Sequence, residues 1–252
     1  MKTLVLADVH SNITALEAVW GRESDAELVL CAGDLVDYGL DPGPCLDWMI
    51  AHEVRAVMGN HDRAVIAARE QPSADGPLLW RMENARQLAP HHIQYLRGLP
   101  EMRVLEIDGE PYGLTHAYDE DGYSTPRSVE AFARFSRERF SRALRRIIFG
   151  HTHRREWVKL ADDTFFLIPG SVSYRRDGET FQGAHYAVIQ DGQVLLRSAP
   201  YPVEALYRRV QQSAVCDSEK APAYRWWTPN YPENHPRHEV ASSPGSAEGK
   251  RT

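Results

Sequence analysis

Three short apolar runs near the start of the chain alternate with stretches of helical spacing. KTLVLAD (2–8), ELVLCAG (27–33) and EVRAVMG (53–59) each end at a polar cluster, as buried strands of a parallel sheet do. Between the first two, NITALEAVWGRE repeats its apolar residues at helical intervals behind Asn12, a good N-cap. PGPCLDWMIAHE fills the second gap behind prolines suited to a first turn. The order β-α-β-α-β predicts a parallel sheet. Residues 76–97 predict helical segments broken at Pro90, and MRVLEI and PYGLTH, joined by Asp108-Gly109, predict a strand pair. SVEAFARFSRERFSRALRR predicts one long helix over 128–146. The second half turns strand-rich: RRIIFG, REWVKL, TFFLIP, AHYAVIQ and QVLLRSA, the last two joined by Asp191-Gly192, before a helical PVEALYRRVQQS. Two sheets flanked by helices account for this order.

Composition narrows the class. A chain of 252 residues with 42% hydrophobic content can bury a real core in one or two domains. Its net charge of -6 gives no overall pull toward nucleic acid or an anionic membrane. The start, MKTLVLAD, is interrupted by Asp8 too early for a secretory segment, and no stretch approaches the roughly 18 apolar residues of a membrane span, so a cytoplasmic protein is expected. Cys31, Cys45 and Cys216 form no paired motif and read as small apolar residues. From Asp217 onward Pro222, Pro229, Pro232, Pro236 and Pro244 break any periodicity, which predicts a main domain over 1–216 and an extension over 217–252 ending in a flexible tail. Tyr224, Trp226, Trp227 and Tyr231 in that extension are expected to fold back on the body or to meet a partner subunit, which leaves room for a homodimer.

The chemistry lies where the apolar runs stop. GHTH (150–153) follows IIF, and in an extended chain His151 and His153 would point to the same side and converge on one point. DVH (8–10) ends the first run, GD (33–34) the second, GNHD (59–62) the third, and His116 ends PYGLTH. In an open α/β sheet the carboxyl ends of strands form the ligand crevice, so these distant residues are expected to meet. Carboxylates, imidazoles and an amide oxygen without a thiol suit hard and borderline divalent cations, and such a set can hold two ions about 3.5–4 Å apart. Two carboxylates leave such a pair of ions net positive, so the site should attract an anion such as phosphate.

The motifs DxH, GD, GNHD, a strand-end His and GHxH, in this order from Asp8 to His153, resemble the calcineurin-like metallophosphoesterases, and PGSV (169–172) resembles a further element of that family. The resemblance implies a four-layer α/β/β/α sandwich of two mixed β-sheets. It implies that Asp8, His10, Asp34 and His153 hold one divalent ion and that Asp34, Asn60, His116 and His151 hold a second, with Asp34 bridging. Mn, Fe, Zn, Ni and Co all suit such donors, with Mn favoured. The implied reaction is hydrolysis of a small phosphate ester by a hydroxide held between the ions, with His61 as proton donor or charge stabiliser and Asn60 and His61 touching the substrate.

Departures from the family pattern narrow the substrate. Tyr38 stands where the protein Ser/Thr phosphatases and symmetrical dinucleoside tetraphosphatases of the superfamily have arginine, and GNHD replaces their GNHE. Asp37 and His10 stand where purple acid phosphatases have a tyrosine ligand and a glycine. GDLVDYGLDP and IPGSVSYRRDG are instead similar to the small prokaryotic phosphodiesterases, many of which have glycine where this chain has Asp37. An acidic Asp37 is expected to accept a hydrogen bond from His61 and keep it protonated near neutral pH. Arg175 and Arg176 follow PGSVSY, and Arg175 is a candidate phosphate contact, with a surface role as its alternative. The arginines of 134–146 are spread around a helix and read as a solvated face, so nucleic acid ranks below a small phosphodiester. The competing class is a binding module of this fold, which would lack the catalytic histidine; His61 argues for an enzyme. The walls that select the substrate are expected from residues 71–100 and the Trp226-Trp227 pair.

Overall fold

The structure, a computed structural model, describes residues 1–72, 76–119, 122–174 and 183–220. Arg175, Arg176 and the aromatic residues Tyr224, Trp226, Trp227 and Tyr231 lie outside the described residues. In chain order the elements are β1 (Thr3–Leu6), α1 (Ile13–Glu23), β2 (Leu28–Cys31), α2 (Pro42–Ala51), β3 (Arg55–Ala56), α3 (Asn60–Glu70), α4 (Trp80–Gln87), α5 (Pro90–Arg97) and β4 (Met102–Ile107). They continue with β5 (Glu110–Thr115), α6 (Val129–Phe140), β6 (Arg146–Ile148), β7 (Arg155–Ala161), β8 (Thr164–Pro169), β9 (Ala184–Gln190), β10 (Gln193–Ala199) and α7 (Val203–Gln212).

Two mixed five-stranded sheets result, ordered β10-β9-β1-β2-β3 and β4-β5-β6-β8-β7. Strand alternation builds the layers. Val5, Leu30 and Ala187 point from the first sheet toward Leu114, Ile148 and Leu167 of the second. Their neighbours Leu4, Leu6, Cys31 and Val188 point the other way, onto Leu16 and Val19 of α1, Leu46 and Met49 of α2 and Leu96 of α5. The outer face of the second sheet buries Ile147, Phe166 and Ile168 under Phe132 and Phe140 of α6. This is the α/β/β/α sandwich.

Two elements differ from the sequence expectation. The helix predicted over 128–146 stops at Phe140, because Ser141 takes a left-handed conformation (φ 54°) and ends it. Ser136 Oγ, fully buried, donates to the Arg142 carbonyl and accepts from Leu144 N–H, so the turn stays closed and Arg146 is freed to begin β6. The second is α3, which no apolar period announced: it buries only Asp62 and Val65 and starts inside the GNHD motif. Asn12 does cap α1, its Oδ1 accepting from Ala15 N–H, so Asp8 is free of that duty.

Beyond the sheets, α7 packs Val203, Leu206 and Val210 with Trp80, Tyr174, Tyr38 and Leu40. The chain after α7 stays attached: Cys216 N–H donates to the Leu78 carbonyl and Trp80 Nε1–H to the Glu219 carbonyl. No helix among the described residues is long and apolar enough to cross a membrane.

At the far end of α1, Glu23 is 1% exposed and receives Lys2 Nζ, Arg197 Nη1 and Tyr186 OH, each at 2.8 Å. Burial opposes its ionisation, but hydrogen bonds from Lys2, Arg197 and Tyr186 outweigh burial and hold the carboxyl below its usual range. A carboxylate with a depressed folded-state pKa stabilises the protein above the unfolded value of about 4.3 and loses that contribution as pH falls. Glu23→Gln is therefore expected to destabilise by about 2 kcal/mol at pH 7, since its partners are partly solvated, and the gap from wild type should close below about pH 4. Urea unfolding across pH checks this, and a gap that stays constant down to pH 3 would count against the pairing.

Candidate metal centre

Every predicted ligand sits in the segment just past a strand, at one edge of the sandwich, with Asn60 as the first residue of α3. The turns after β1 and β2 stay paired past the strands: Asp8 N–H donates to the Gly33 carbonyl, His10 N–H to Asp34, and Ser11 N–H to Leu35, each at 3.0 Å. The PGSV turn after β8 crosses from the other sheet, with Val172 N–H and Ser171 Oγ donating to the carbonyls of Ala7 and Asp8. These turns are tight enough that Asp8, His10, Asp34, Asp37, Tyr38, His151 and His153 all have positive φ. Asp and His tolerate that region better than most residues, yet each such residue costs of order 1 kcal/mol or more unless its surroundings hold it. Gly59 answers a different demand: a Cβ there would lie 2.1 Å from Asp34 Oδ1.

Positive φ at both histidines of GHTH overturns the extended-chain expectation. His151 and His153 do not converge on one point but enter two adjacent clusters. In the first, Asp8, His10, Asp34 and His153 bring ligand atoms within 4.8 Å of one another. His10 Nε2 lies 3.2 Å from His153 Nε2, and Asp8 Oδ1 lies 3.3 Å from His153 Nε2. In the second, His116 Nε2 lies 3.2 Å from Asp34 Oδ2 and 2.9 Å from Asn60 Oδ1, which is 3.1 Å from His151 Nδ1. Asp34 belongs to both clusters. His116, which the sequence supported only by its place at a strand end, is thus beside Asp34.

The donor chemistry fits divalent cations. The Ala32 carbonyl can only accept, so His116 carries its proton on Nδ1 (2.7 Å) and turns the Nε2 lone pair inward. The Gly122 carbonyl likewise fixes the His151 proton on Nε2 (3.1 Å) and turns Nδ1 inward. Lone pairs of two imidazoles, one amide oxygen and a carboxylate therefore face each other. Outer partners of this kind commonly orient metal-ligating histidines. The second oxygens of Asp8 and Asp34 are buried; that of Asp8 accepts no hydrogen bond from any described residue, and that of Asp34 faces the Nε2 of His116, a costly state for carboxylates that a cation relieves. Without a cation a proton serves: burial lowers the His116 pKa, but Asp34 overrides it and brings it up to about 9. Burial pushes His10 and His151 down, keeping both imidazoles neutral, the form that binds metal.

His61, at the start of α3, stands beside the clusters: its ring centroid is 5.1 Å from that of His10, and its Nδ1–H donates to Asp37 Oδ2 at 2.7 Å. Burial pulls its pKa down, but the Asp37 hydrogen bond and the charge of Asp34 raise it above the ordinary histidine value. Tyr38 and Tyr174 wall this side, their rings 4.5 Å from His61 and 5.1 Å from His10. Tyr123 stacks on His151 at 5.0 Å and 10°.

A family model, the calcineurin-like phosphoesterase superfamily domain, matches residues 1–191. The chain belongs to the calcineurin-like phosphoesterase superfamily. A metallophosphoesterase from Sphaerobacter thermophilus superposes with a TM-score of 0.69 at 24% identity, covering 88% of this chain and 98% of that one. A hypothetical protein from Pyrococcus horikoshii OT3 superposes with a TM-score of 0.72 at 15% identity, covering 88% and 97%. An uncharacterized protein of Methanocaldococcus jannaschii is 23% identical over 237 residues, spanning 84% of this calcineurin-like chain and 92% of its own. At these identities the superpositions speak to the fold.

Two groupings lay beyond sequence reasoning. Asp62, the last residue of GNHD, is fully buried and accepts four backbone N–H groups: Gly59 (2.9 Å), Asp34 (3.1 Å), Leu35 (2.8 Å) and Val36 (3.1 Å). It ties the Asp34 turn to the start of α3. Burial and the neighbouring Asp34 bring its pKa up to about 6, against those N–H donors. Its place three residues after Gly59, where a capping carboxylate sits, was the available signal. The other is a third cluster, Asp47, His91 and His92, on α2 and α5. There Ala89 N–H donates to His92 Nδ1, which puts the ring proton on Nε2, facing Asp47 at 2.9 Å. That arrangement ties α5 to α2 and leaves His92 no lone pair for a metal.

Replacing Asp62 with alanine strands four N–H groups. Asp62→Ala is expected to cost about 3 kcal/mol in urea unfolding and to lower Mn occupancy after dialysis, as read by metal analysis. Full Mn occupancy in a destabilised variant would show that Asp62 serves the fold alone.

Proposed function

We propose that this protein is a dinuclear metal-dependent phosphodiesterase acting on a nucleotide or another small phosphate diester. The observation that carries the reading is the pair of buried carboxylates, Asp8 and Asp34, gathered with inward-facing imidazole and amide lone pairs, with His61 held beside them. Asp8, His10, Asp34 and His153 would hold one ion, Mn favoured, and Asp34, Asn60, His116 and His151 the other. Two such ions polarise the phosphoryl oxygens and supply an activated water for in-line attack.

The residues of the chain do the rest. Asp37 takes the Nδ1 proton of His61 as a hydrogen bond and favours the imidazolium, so Nε2–H is left to donate to the leaving oxygen. Asn60 and His61 would touch the substrate. Tyr38 favours a diester: burial and Asp37 push its phenol pKa up, so a neutral ring stands beside His61 where monoesterase relatives have a guanidinium for a dianionic phosphate. A diester carries one negative charge less and needs no such clamp.

Chelator-stripped protein with Mn restored is expected to hydrolyse a chromogenic phosphodiester faster than the matching monoester. Asp34→Asn should abolish turnover, and His61→Ala should lower kcat about 10²- to 10⁴-fold. No turnover of either ester with both ions bound would favour a binding role instead.

The pH dependence has a definite sign. The protonated form of His61 is the working one, so activity should fall as pH rises through its raised pKa. Asp37→Asn removes the interaction that raises it, and the alkaline limb of kcat against pH should move to lower pH. A limb that does not move, with kcat unchanged, would remove Asp37 from the mechanism.

A further inference from the structure

Asn84 belongs to α4, far from every motif, and is fully buried. Its amide is engaged on both sides. Oδ1 accepts from Ser11 Oγ and from Asp37 N–H (3.0 Å), and Nδ2 donates to the Gly39 carbonyl (2.9 Å). One side chain thus joins the turn after β1, next to His10, to both ends of the Asp37-Tyr38-Gly39 segment.

That segment needs such a hold. Asp37 (φ 77°) and Tyr38 (φ 58°) are consecutive non-glycine residues in the left-handed region, a conformation that persists only where the surroundings over-determine it. A Cβ on Gly39 would come within 2.1 Å of the His10 carbonyl oxygen, so the segment also lies tight against the first turn. The Asp37 carboxylate is aimed by its own backbone, Oδ1 accepting from Tyr38 N–H at 2.8 Å, which leaves Oδ2 for His61. An apolar residue at 84 would leave the buried Asp37 N–H and Gly39 carbonyl without these partners.

We infer that Asn84 is a positioning residue: through Asp37 it fixes the orientation and proton placement of His61. The catalytic consequence rests on the phosphoesterase reading above, whereas the effect on the His61 ring does not. Asn84 touches no substrate and no candidate metal ligand side chain. Its effect should therefore fall on kcat, leaving KM and metal content in place.

The test uses the full chain with Asn84→Leu, which is close in shape but makes none of the three bonds, and Asn84→Asp, which keeps the acceptor for Ser11 and Asp37 N–H and, protonated by its burial, can still donate to the Gly39 carbonyl. Long-range nitrogen–proton spectra of the imidazole rings should show His61 with its Nδ1 proton fixed in wild type, lost or averaged in Asn84→Leu and kept in Asn84→Asp. With Mn restored, kcat for the diester should fall about 10- to 100-fold in Asn84→Leu, with KM and Mn stoichiometry within about twofold of wild type. In an Asp37→Asn background the same substitution should cost less than about twofold, because the group it acts through is already gone. If Asn84→Leu does not fold, the inference stands on Asn84→Asp, which should retain most of the activity and the His61 signature. An unchanged His61 spectrum in Asn84→Leu, equal losses in both backgrounds, or loss of the signature in folded Asn84→Asp would overturn the inference. A wild type that hydrolyses no phosphate ester, yet whose His61 signature Asn84→Leu abolishes, would sink the phosphoesterase reading and leave the positioning role intact.

Discussion

Two carboxylates buried among imidazoles set the terms for the rest of this molecule. Asp8 and Asp34 are at most 1% exposed; Asp8 Oδ2 accepts no hydrogen bond from any described residue, and Asp34 Oδ2 faces His116 Nε2 at 3.2 Å. Buried negative charge persists only beside compensating charge. In the cation-free protein part of that compensation falls to His116, whose proton is held by Asp34. A divalent ion supplies the same compensation, and the imidazole lone pair then goes to the metal in place of the proton. The polar edge of the sandwich is thus built for positive charge that the chain does not itself carry permanently, and an anionic ester is what such a charge would recruit.

Holding those groups in place requires backbone in unfavourable conformations, and two buried side chains bear that load. Asp62 collects four N–H groups around the Asp34 turn, and Asn84 closes the Asp37-Gly39 segment against Ser11. They come from adjacent helices, α3, which buries Val65, and α4, which buries Trp80 and Ala85. These helices serve the turns as well as the core. The same logic explains the chemistry of PGSV: Ser171 and Val172 bond to Ala7 and Asp8, fastening one sheet to the other beside the first ligand.

The wall beside the first cluster is assembled from distant parts of the chain. Tyr38 and Tyr174 face the histidines, and behind them lie Trp80 and the apolar side of α7. Function in a widely shared fold is set by the loops and walls around a site more than by the fold itself. The attachment of Cys216 and Glu219 to Leu78 and Trp80 extends this backing up to the last described residues.

Much of this was legible in the linear chain. Strand period and turn dipeptides located the strands of both sheets, because alternate residues must face opposite layers. The short motifs from Asp8 to His153 picked out the residues that the fold brings together, because strand ends in an α/β sheet share one edge. What the chain alone could not supply was decided by contacts between distant segments. The family resemblance already divided His151 and His153 between two sites, but the backbone reason, left-handed turns in place of the extended chain that sent both to one point, came only with the structure. The end of α6 at Phe140 depends on Ser136 closing a turn that helical periodicity overlooks. The work of Asp62 and Asn84 consists of hydrogen bonds to backbone groups of other turns, and a backbone N–H leaves no mark in the sequence. Side-chain chemistry was therefore written in the residues themselves, and its geometry came only with the tertiary structure that satisfies the backbone around it.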